Sequence, residues 1–320
     1  MKLSVFSVVL GDLPLREACR FLAEQGVDAV EIGCGGYPGT NHCDPKALLG
    51  NDAAKKDFLA AIKDSGLEIA ALSVHGNPVH PDKNIARFFH EDYINAARLA
   101  GELGVPRVVT FSGCPGGSPE DRTPNWVTCA WPDDFQDILR YQWEDVLIPY
   151  WHEAAGIAQK YGVRRVALEM HPGFCVYNPE TLLRLRQAAG DTIGANLDPS
   201  HLFWQGIDPV MAIRALGNAV YFFHAKDTLI DGANTAVNGV LDTKHYAESN
   251  RSWVFRTVGY GHDQLTWNRI MSELRAAGYD DVVSIEHEDG LMSGREGLKK
   301  AIHFLKDVLI REQSGGMYWA

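Results

Sequence analysis

Short apolar runs alternate with helix-like stretches along the whole chain. The runs are rich in β-branched, aromatic or small residues, and apolar residues at helical spacing follow each of them. The predicted strands cover residues 3–9, 29–33, 68–74, 107–111, 166–169, 194–198, 220–224 and 281–288. The predicted helices cover residues 15–25, 51–65, 85–103, 143–161, 178–189, a stretch from 208, 264–277 and 295–310. Because eight strand–helix pairs close a barrel, the pattern predicts an α/β fold of the (β/α)8 TIM barrel class.

Two long connections interrupt this pattern. One spans about residues 112–141 and the other about residues 228–263. A structureless stretch of that length inside a compact domain is normally functional or wrongly assigned, so we interpret the first as a lid over the site. No linker divides the chain, which predicts one domain over residues 1–320 with a tail at about 312–320. Tyr318 and Trp319 in that tail are expected to pack on the barrel or on a neighbouring subunit.

Composition and charge narrow the classes of function. Hydrophobic residues make up 46% and charged residues 22% of the chain, as in a soluble globular protein. There is no uninterrupted run of 18 apolar residues and no apolar leader with a cleavage site, so we expect no membrane partner and a cytoplasmic location. The formal net charge of −11 would repel a phosphate backbone, which argues against nucleic acid as a partner. The six cysteines form no C-x-x-C pair, so neither a zinc knuckle nor a redox motif is predicted.

Four short strand-like runs, at residues 166–169, 194–198, 220–224 and 282–286, each end in a residue that can bind a divalent metal. These residues are Glu169, Asp198, His224 and Glu286. The C-terminal ends of barrel strands converge on one face, so the four side chains are expected to meet around one ion. Three oxygen donors and one imidazole suit Mn²⁺, with Mg²⁺ or Co²⁺ as alternatives, better than a structural zinc. For any one acid alone, capping of the following helix is the simpler interpretation.

Other side chains at the predicted mouth of the barrel are candidates for substrate contact. His75 ends the third strand, His171 lies two residues after Glu169, and His262 lies in the late loop. For His171 a hydrogen bond to a metal ligand is the alternative, and for His262 it is a solvated surface position. Trp126 in the first long connection can pack on a sugar or simply in the core. Lys226 and Asp227, which follow His224, are expected to pair with each other or to orient ligands.

Four motifs in sequence order resemble the sugar phosphate isomerase/epimerase superfamily, the xylose isomerase-like TIM barrels. They are Leu168-Glu169-Met170-His171-Pro172, Leu197-Asp198-Pro199-Ser200-His201, His224-Ala225-Lys226-Asp227 and Ile285-Glu286-His287-Glu288. The resemblance covers essentially the whole chain. It implies that Glu169, Asp198, His224 and Glu286 bind one catalytic metal, and that Glu169 and Glu286 also act as the acid and base. It further implies that His201 of the D-x-x-H motif binds substrate.

The same resemblance suggests that Arg256, in a glycine-rich late loop, binds a substrate oxygen. Within the superfamily the chain also looks like the catalytic subunits of C-glycoside deglycosidases, which work with a small second subunit. The long loop with its tryptophans and the aromatic C-terminus prompt that comparison. We expect a small sugar or glycoside as substrate and a homo-oligomer in solution.

The chemistry of such a site begins with removal of a proton from the carbon beside a carbonyl. A metal bound to the carbonyl oxygen would stabilise the developing enediolate. Return of the proton on the other face gives isomerisation or epimerisation, whereas loss of a β-substituent gives elimination. We therefore predict a sugar isomerase or epimerase, with a lyase or dehydratase on 3-oxo-sugars as the alternative. A non-catalytic sugar-binding or complex-forming subunit is the alternative of another class.

Overall fold

The computed structural model describes residues 1–313 and 315–317, and these form a closed barrel of eight parallel strands surrounded by helices. The ten strands in the described ranges are β1 Lys2–Phe6, β2 Ala29–Gly33, β3 Glu68–Ser73, β4 Arg107–Phe111, β5 Arg165–Glu169, β6 Ile193–Leu197, β7 Val220–Ala225, β8 Asp227–Ile230, β9 Trp253–Arg256 and β10 Val282–Ile285. The barrel closes in the order β1-β10-β7-β6-β5-β4-β3-β2, and β8 and β9 form a separate two-stranded sheet. The predicted (β/α)8 TIM barrel is confirmed.

The helices follow the barrel strands on the outside. They are α1 Leu15–Glu24, α2 Pro45–Leu48, α3 Asp52–Lys63, α4 Lys83–Leu103, α5 Asp134–Arg140, α6 Ile148–Lys160, α7 Pro179–Ala189, α8 Pro199–Trp204, α9 Pro209–Leu216, α10 Gly232–Asn238, α11 Gln264–Ala276 and α12 Gly294–Val308. Several begin where a polar side chain accepts a hydrogen bond from the first turn, as Asn51 and Asn178 do before α3 and α7. Asp198 caps α8 in the same way, by accepting from the backbone N–H of Ser200.

An apolar layer between the barrel and its helices forms the core. Trp151 of α6 and Trp267 of α11 are completely buried in it. Small side chains at the strand positions, such as Ala71 and Ala167, leave room for the larger ring of Phe222 in a second buried cluster. The packed core holds the strand ends, and therefore the side chains at the mouth of the barrel, in fixed positions.

The two long connections contain more regular structure than the sequence indicates. The helix after β4 begins at Asp134 rather than at residue 143, and a π-helical stretch, Tyr141–Leu147, joins α5 to α6. The prediction of an irregular stretch through residue 141 was therefore wrong at its C-terminal end. The irregular part at 112–133 carries the exposed Trp131, whose exposed fraction is 74%.

The second long connection is not a loop through residue 263. Its ends pair as the antiparallel β8 and β9, with Asp227 opposite Arg256, and α10 lies between them. The sequence did not reveal this hairpin because its strands are four residues long and separated by more than twenty residues, so no turn signal joins them.

The C-terminal tail is only partly described. Ser314, Tyr318, Trp319 and Ala320 lie outside the described residues, and so does the predicted packing of the two aromatic side chains. Across residues 1–313 and 315–317, no helix has the length and apolar character required to cross a membrane.

Candidate metal centre and active site

The four predicted metal ligands come together at the C-terminal end of the barrel. Glu169 ends β5, Asp198 follows β6, His224 lies in β7 and Glu286 follows β10. One ligand atom from each of the four residues lies within 4.8 Å of the others. Glu169, Asp198 and His224 are buried, and the side chain of Glu286 has an exposed fraction of 15%. The parallel arrangement of the barrel strands explains the convergence, because the C-terminal ends of all of them lie on one rim.

The distances in this cluster suit ligands of a single ion. The Nδ1 of His224 lies 3.3 Å from Oε2 of Glu169 and 3.3 Å from Oε2 of Glu286. Two atoms bound to the same ion at about 2.1 Å are separated by roughly 3 Å when they are neighbours in its coordination shell. Among the described residues, the buried Nδ1 of His224 and Oδ2 of Asp198 have no hydrogen-bond partner. An unpartnered imidazole nitrogen and an unpartnered carboxylate oxygen in a cluster with two further carboxylates fit a divalent cation.

Lys226 brings a positive charge to the cluster. Its Nζ lies 2.5 Å from Oε2 of Glu286, 3.1 Å from Oδ2 of Asp198 and 3.3 Å from Oε2 of Glu288. The side chain is buried and lies over the ring of Phe255. Of the two alternatives that the sequence leaves open, Lys226 therefore contacts ligand residues and does not pair with Asp227.

Burial and neighbouring charges shift the pKa values of these groups. Burial alone would raise the pKa of Glu169, but the contacts of its carboxylate with the imidazoles of His201, His224 and His75 hold it well below its usual value. Burial, opposed by Lys226 and reinforced by the charges of Glu169 and Glu286, raises the pKa of Asp198 to about 7.

The pKa of Glu286 is also lowered, because the charge of Lys226 more than offsets its burial. For His171 the shift is downward as well: burial lowers its pKa to about 3. Glu169 and Glu286 are thus ionised, and His171 is neutral, near neutral pH.

Three predicted substrate-binding histidines surround Glu169. The Nε2 of His75 lies 3.1 Å from Oε2 of Glu169, and the Nε2 of His201 lies 3.2 Å from Oε1. The ring of His171 packs against that of His201 with centroids 4.0 Å apart. Asn196, which the sequence analysis did not single out, donates from Nδ2 to Oε2 of Glu169 at 3.2 Å. The carboxylate of Glu169 is therefore held on both oxygens beside a group of imidazoles.

The remaining predicted substrate residues are engaged in other contacts. Arg256 lies 3.1 Å from Oδ2 of Asp289. His262 contacts Oδ1 of Asp227 at 2.8 Å and stacks on Phe203. Each of these two side chains is thus held by a partner from the barrel loops, and their predicted contact with substrate stays a prediction.

Trp126, the last predicted substrate residue, packs edge-on against the ring of Tyr177. It lies partly buried against the core, and its role toward substrate also stays a prediction.

Glu31 is the buried group that the sequence analysis overlooked. It lies in β2, and its carboxylate contacts Nε2 of His224 at 3.0 Å from both oxygens. A signal was present in the sequence, since Glu31 is the one charged residue in the otherwise apolar run Ala29–Gly33. A charge in a fully buried strand needs a partner, which β2 does not itself contain.

The fold and the sequence motifs indicate the protein family to which the chain belongs. A model of the xylose isomerase-like TIM barrel family matches residues 19–308, so the chain belongs to that family. The resemblance inferred from the four motifs is thereby confirmed.

A curated relative and two solved structures are similar over nearly the whole chain. The uncharacterized protein YfiH of Bacillus subtilis is 40% identical over 312 residues, covering 97% of this chain and 99% of YfiH. The probable 3-DHS dehydratase AsbF from Bacillus anthracis has a TM-score of 0.68 at 19% identity, covering 96% of this chain and 99% of AsbF. The D-psicose 3-epimerase from Clostridium cellulolyticum H10 has a TM-score of 0.62 at 15% identity, covering 96% and 98% of the two chains. At these identities the structural likenesses concern the fold.

Proposed function

We propose that this protein is a divalent-metal-dependent sugar isomerase or epimerase that removes a proton from the carbon beside a carbonyl group. The observation that best supports this proposal is the cluster of Glu169, Asp198, His224 and Glu286. Two of its buried atoms, Nδ1 of His224 and Oδ2 of Asp198, have no hydrogen-bond partner among the described residues. Oxygen donors with one imidazole favour Mn²⁺, with Mg²⁺ or Co²⁺ as alternatives. Similarity in fold to sugar 3-epimerases supports the reaction class.

A divalent cation held by these four residues would polarise the substrate carbonyl and stabilise the negative charge that develops on its oxygen. The ionised Glu169 is the base that accepts the proton of the substrate carbon. Glu286, which is the more exposed of the two, takes up a proton from solvent and returns it to the opposite face of the substrate carbon. His75 and His201 contact the two carboxylate oxygens of Glu169 and keep it in place. We assign Arg256, His262 and Trp126 no part in the proton transfer.

Elimination is the second candidate, because it begins with the same proton removal. The fold similarity to a probable dehydratase favours it, and a 3-oxo-sugar with a leaving group on the β-carbon would be its substrate. In that reaction Glu169 again accepts the proton, and the bond to the leaving group breaks instead of a new C–H bond forming. The choice between the two reactions depends on the substrate bound beside Glu169.

The direct test is hydrogen exchange. We expect the protein loaded with Mn²⁺ to incorporate solvent deuterium into a ketose in D₂O and to form its epimer or isomer, measured by NMR. Glu169→Gln should lower the rate by roughly 10²–10⁴-fold. Glu288→Gln is the matched control, since it removes an acid next to Lys226 that is not in the four-residue cluster.

The same preparation separates the two candidates. Release of a leaving group from a 3-oxo-glycoside, without exchange in ketoses, would establish elimination. If a broad panel of ketoses shows neither exchange nor epimer with Mn²⁺, Mg²⁺ or Co²⁺, the isomerase assignment is rejected.

A further inference from the structure

Glu31 lies on the far side of His224 from the metal cluster. Both of its carboxylate oxygens are 3.0 Å from Nε2 of His224, and both residues are completely buried. We infer that Glu31 is a positioning residue that fixes the orientation and tautomer of His224 for cation binding. This inference rests on the proposed function, because it requires a cation bound at the cluster. It adds a residue of β2 to a site whose four candidate ligands lie at the ends of later strands.

The barrel itself places Glu31 there. His224 in β7 pairs in register with Ser284 in β10, and a register shift between Val30 and Glu31 interrupts the pairing of β2 with β3. The hydroxyl of Ser284 donates to Oε2 of Glu31 at 2.6 Å, and that of Ser73 donates to Oε1 at 2.5 Å. Side chains from β2, β3, β7 and β10 thus form one hydrogen-bonded polar layer inside the barrel. The two serines hold the carboxylate while it faces His224.

The hydrogen bonds decide which imidazole nitrogen faces the cluster. A carboxylate only accepts, so Nε2 of His224 must carry the hydrogen that Glu31 receives. Nδ1 then lies 3.3 Å from an oxygen of Glu169 and from one of Glu286, and it has no hydrogen-bond partner among the described residues. An imidazole whose N–H is held by a carboxylate is fixed in orientation and is a more basic ligand through its other nitrogen. Glu31 therefore acts on the cation through His224 and not by contact.

A buried ion pair that only stabilises the barrel is the competing explanation. The two explanations differ in what Glu31→Gln does to Mn²⁺ affinity, measured by electron paramagnetic resonance of free Mn²⁺ in titrations. We expect a Kd roughly 10- to 100-fold weaker, the usual effect of removing a carboxylate that supports a metal-binding histidine. Ser284→Ala is the matched control, because it removes one hydrogen bond to Glu31 and keeps the carboxylate. Its Kd should change by less than about threefold.

A double-mutant cycle with His224→Gln tests whether the effect passes through the imidazole. In the His224→Gln background, Glu31→Gln should weaken Mn²⁺ binding no further, whereas an independent effect would add. If Glu31→Gln does not fold by circular dichroism, Glu31→Asp takes its place in the cycle. It retains the charge but withdraws the carboxylate by one methylene, and the same non-additive loss is expected.

The outcomes are distinct. Wild-type affinity in the folded Glu31 variant, or a loss that is fully additive with His224→Gln, overturns the inference and leaves the proposed function standing. A wild-type protein that binds none of the three cations overturns both.

Discussion

Two buried aspartates that follow neighbouring barrel strands have opposite environments. Asp198 follows β6 and Asp227 begins β8 just after β7, and both are completely buried. The carboxylate of Asp227 accepts hydrogen bonds from backbone or side-chain N–H groups of Thr228, Gly259, Gly261, His262 and Trp267. A side chain at Gly261 would collide with Thr228 and Asp227, so this close approach requires glycine. Both oxygens of the Asp227 carboxylate thus accept hydrogen bonds, and these bonds hold the late loop in place.

The carboxylate of Asp198, by contrast, has hydrogen-bond partners on only one of its two oxygens. Its Oδ1 accepts from the N–H of Ser200 at 2.8 Å, whereas Oδ2 has no hydrogen-bond partner in the described part of the chain. Lys226 approaches Oδ2 to 3.1 Å without hydrogen-bonding geometry. Burial of a carboxylate without hydrogen-bond partners destabilises the folded protein. A protein that retains such a carboxylate therefore has a candidate functional site, where a bound ligand supplies the missing partner. The number of hydrogen bonds that the carboxylate accepts, and not its burial or its position on the rim, therefore separates a structural acid from a candidate metal ligand.

Replacing each aspartate by asparagine should affect a different property, namely stability for Asp227 and Mn²⁺ affinity for Asp198. Asp227→Asn should lower the free energy of unfolding by about 3 kcal/mol, because several buried donors lose a charged acceptor. Its Mn²⁺ affinity should change little. Asp198→Asn should weaken Mn²⁺ binding by at least about 100-fold without lowering the stability of the metal-free protein. Chemical denaturation and Mn²⁺ titration measure the two effects, and equal stability losses in both variants would contradict the distinction.

The pH dependence of metal binding should follow Asp198. Its pKa in the metal-free protein is raised to about 7, and a bound cation requires the ionised form. Below pH 7 the cation must displace a proton from Asp198, so this group should lower the affinity by about tenfold per pH unit, and above pH 7 it adds no further change. Mn²⁺ titrations across this range give the slope. Asp227→Asn should keep it, and persistence of the same slope in Asp198→Asn would assign it to another group.

Replacement of Lys226 should have a smaller effect of the opposite sign. Its ammonium group contacts Asp198 and Glu286, two of the four candidate ligands, and therefore competes with a cation for them. Lys226→Met should tighten Mn²⁺ binding by about tenfold, because it removes a nearby positive charge. The same variant should destabilise the metal-free protein, whose carboxylates then lack a counter-charge. Weaker Mn²⁺ binding by Lys226→Met would mean that the lysine orients the ligands instead of competing.

Much of the fold and the main cluster could be predicted from the sequence alone, because the signals are local. An apolar run that ends in an acid or a histidine specifies both the strand and the position of the polar side chain on the rim, as at Glu169 and Glu286. Helix starts such as Asn178 carry their capping signal in a few adjacent residues. The eight repeats of this local pattern then allow one closed arrangement.

The tertiary structure alone decided what each polar side chain contacts. Glu31 meets His224 across 193 positions of sequence because a register shift and barrel closure bring β2 opposite β7. Lys226 contacts Glu286 and not the adjacent Asp227, whose carboxylate the late loop has saturated. The hairpin of β8 and β9 likewise joins segments with no turn signal between them. The position at which a strand ends can be predicted from its neighbours along the chain, whereas the hydrogen-bond partners of its side chains depend on the closure of the whole barrel.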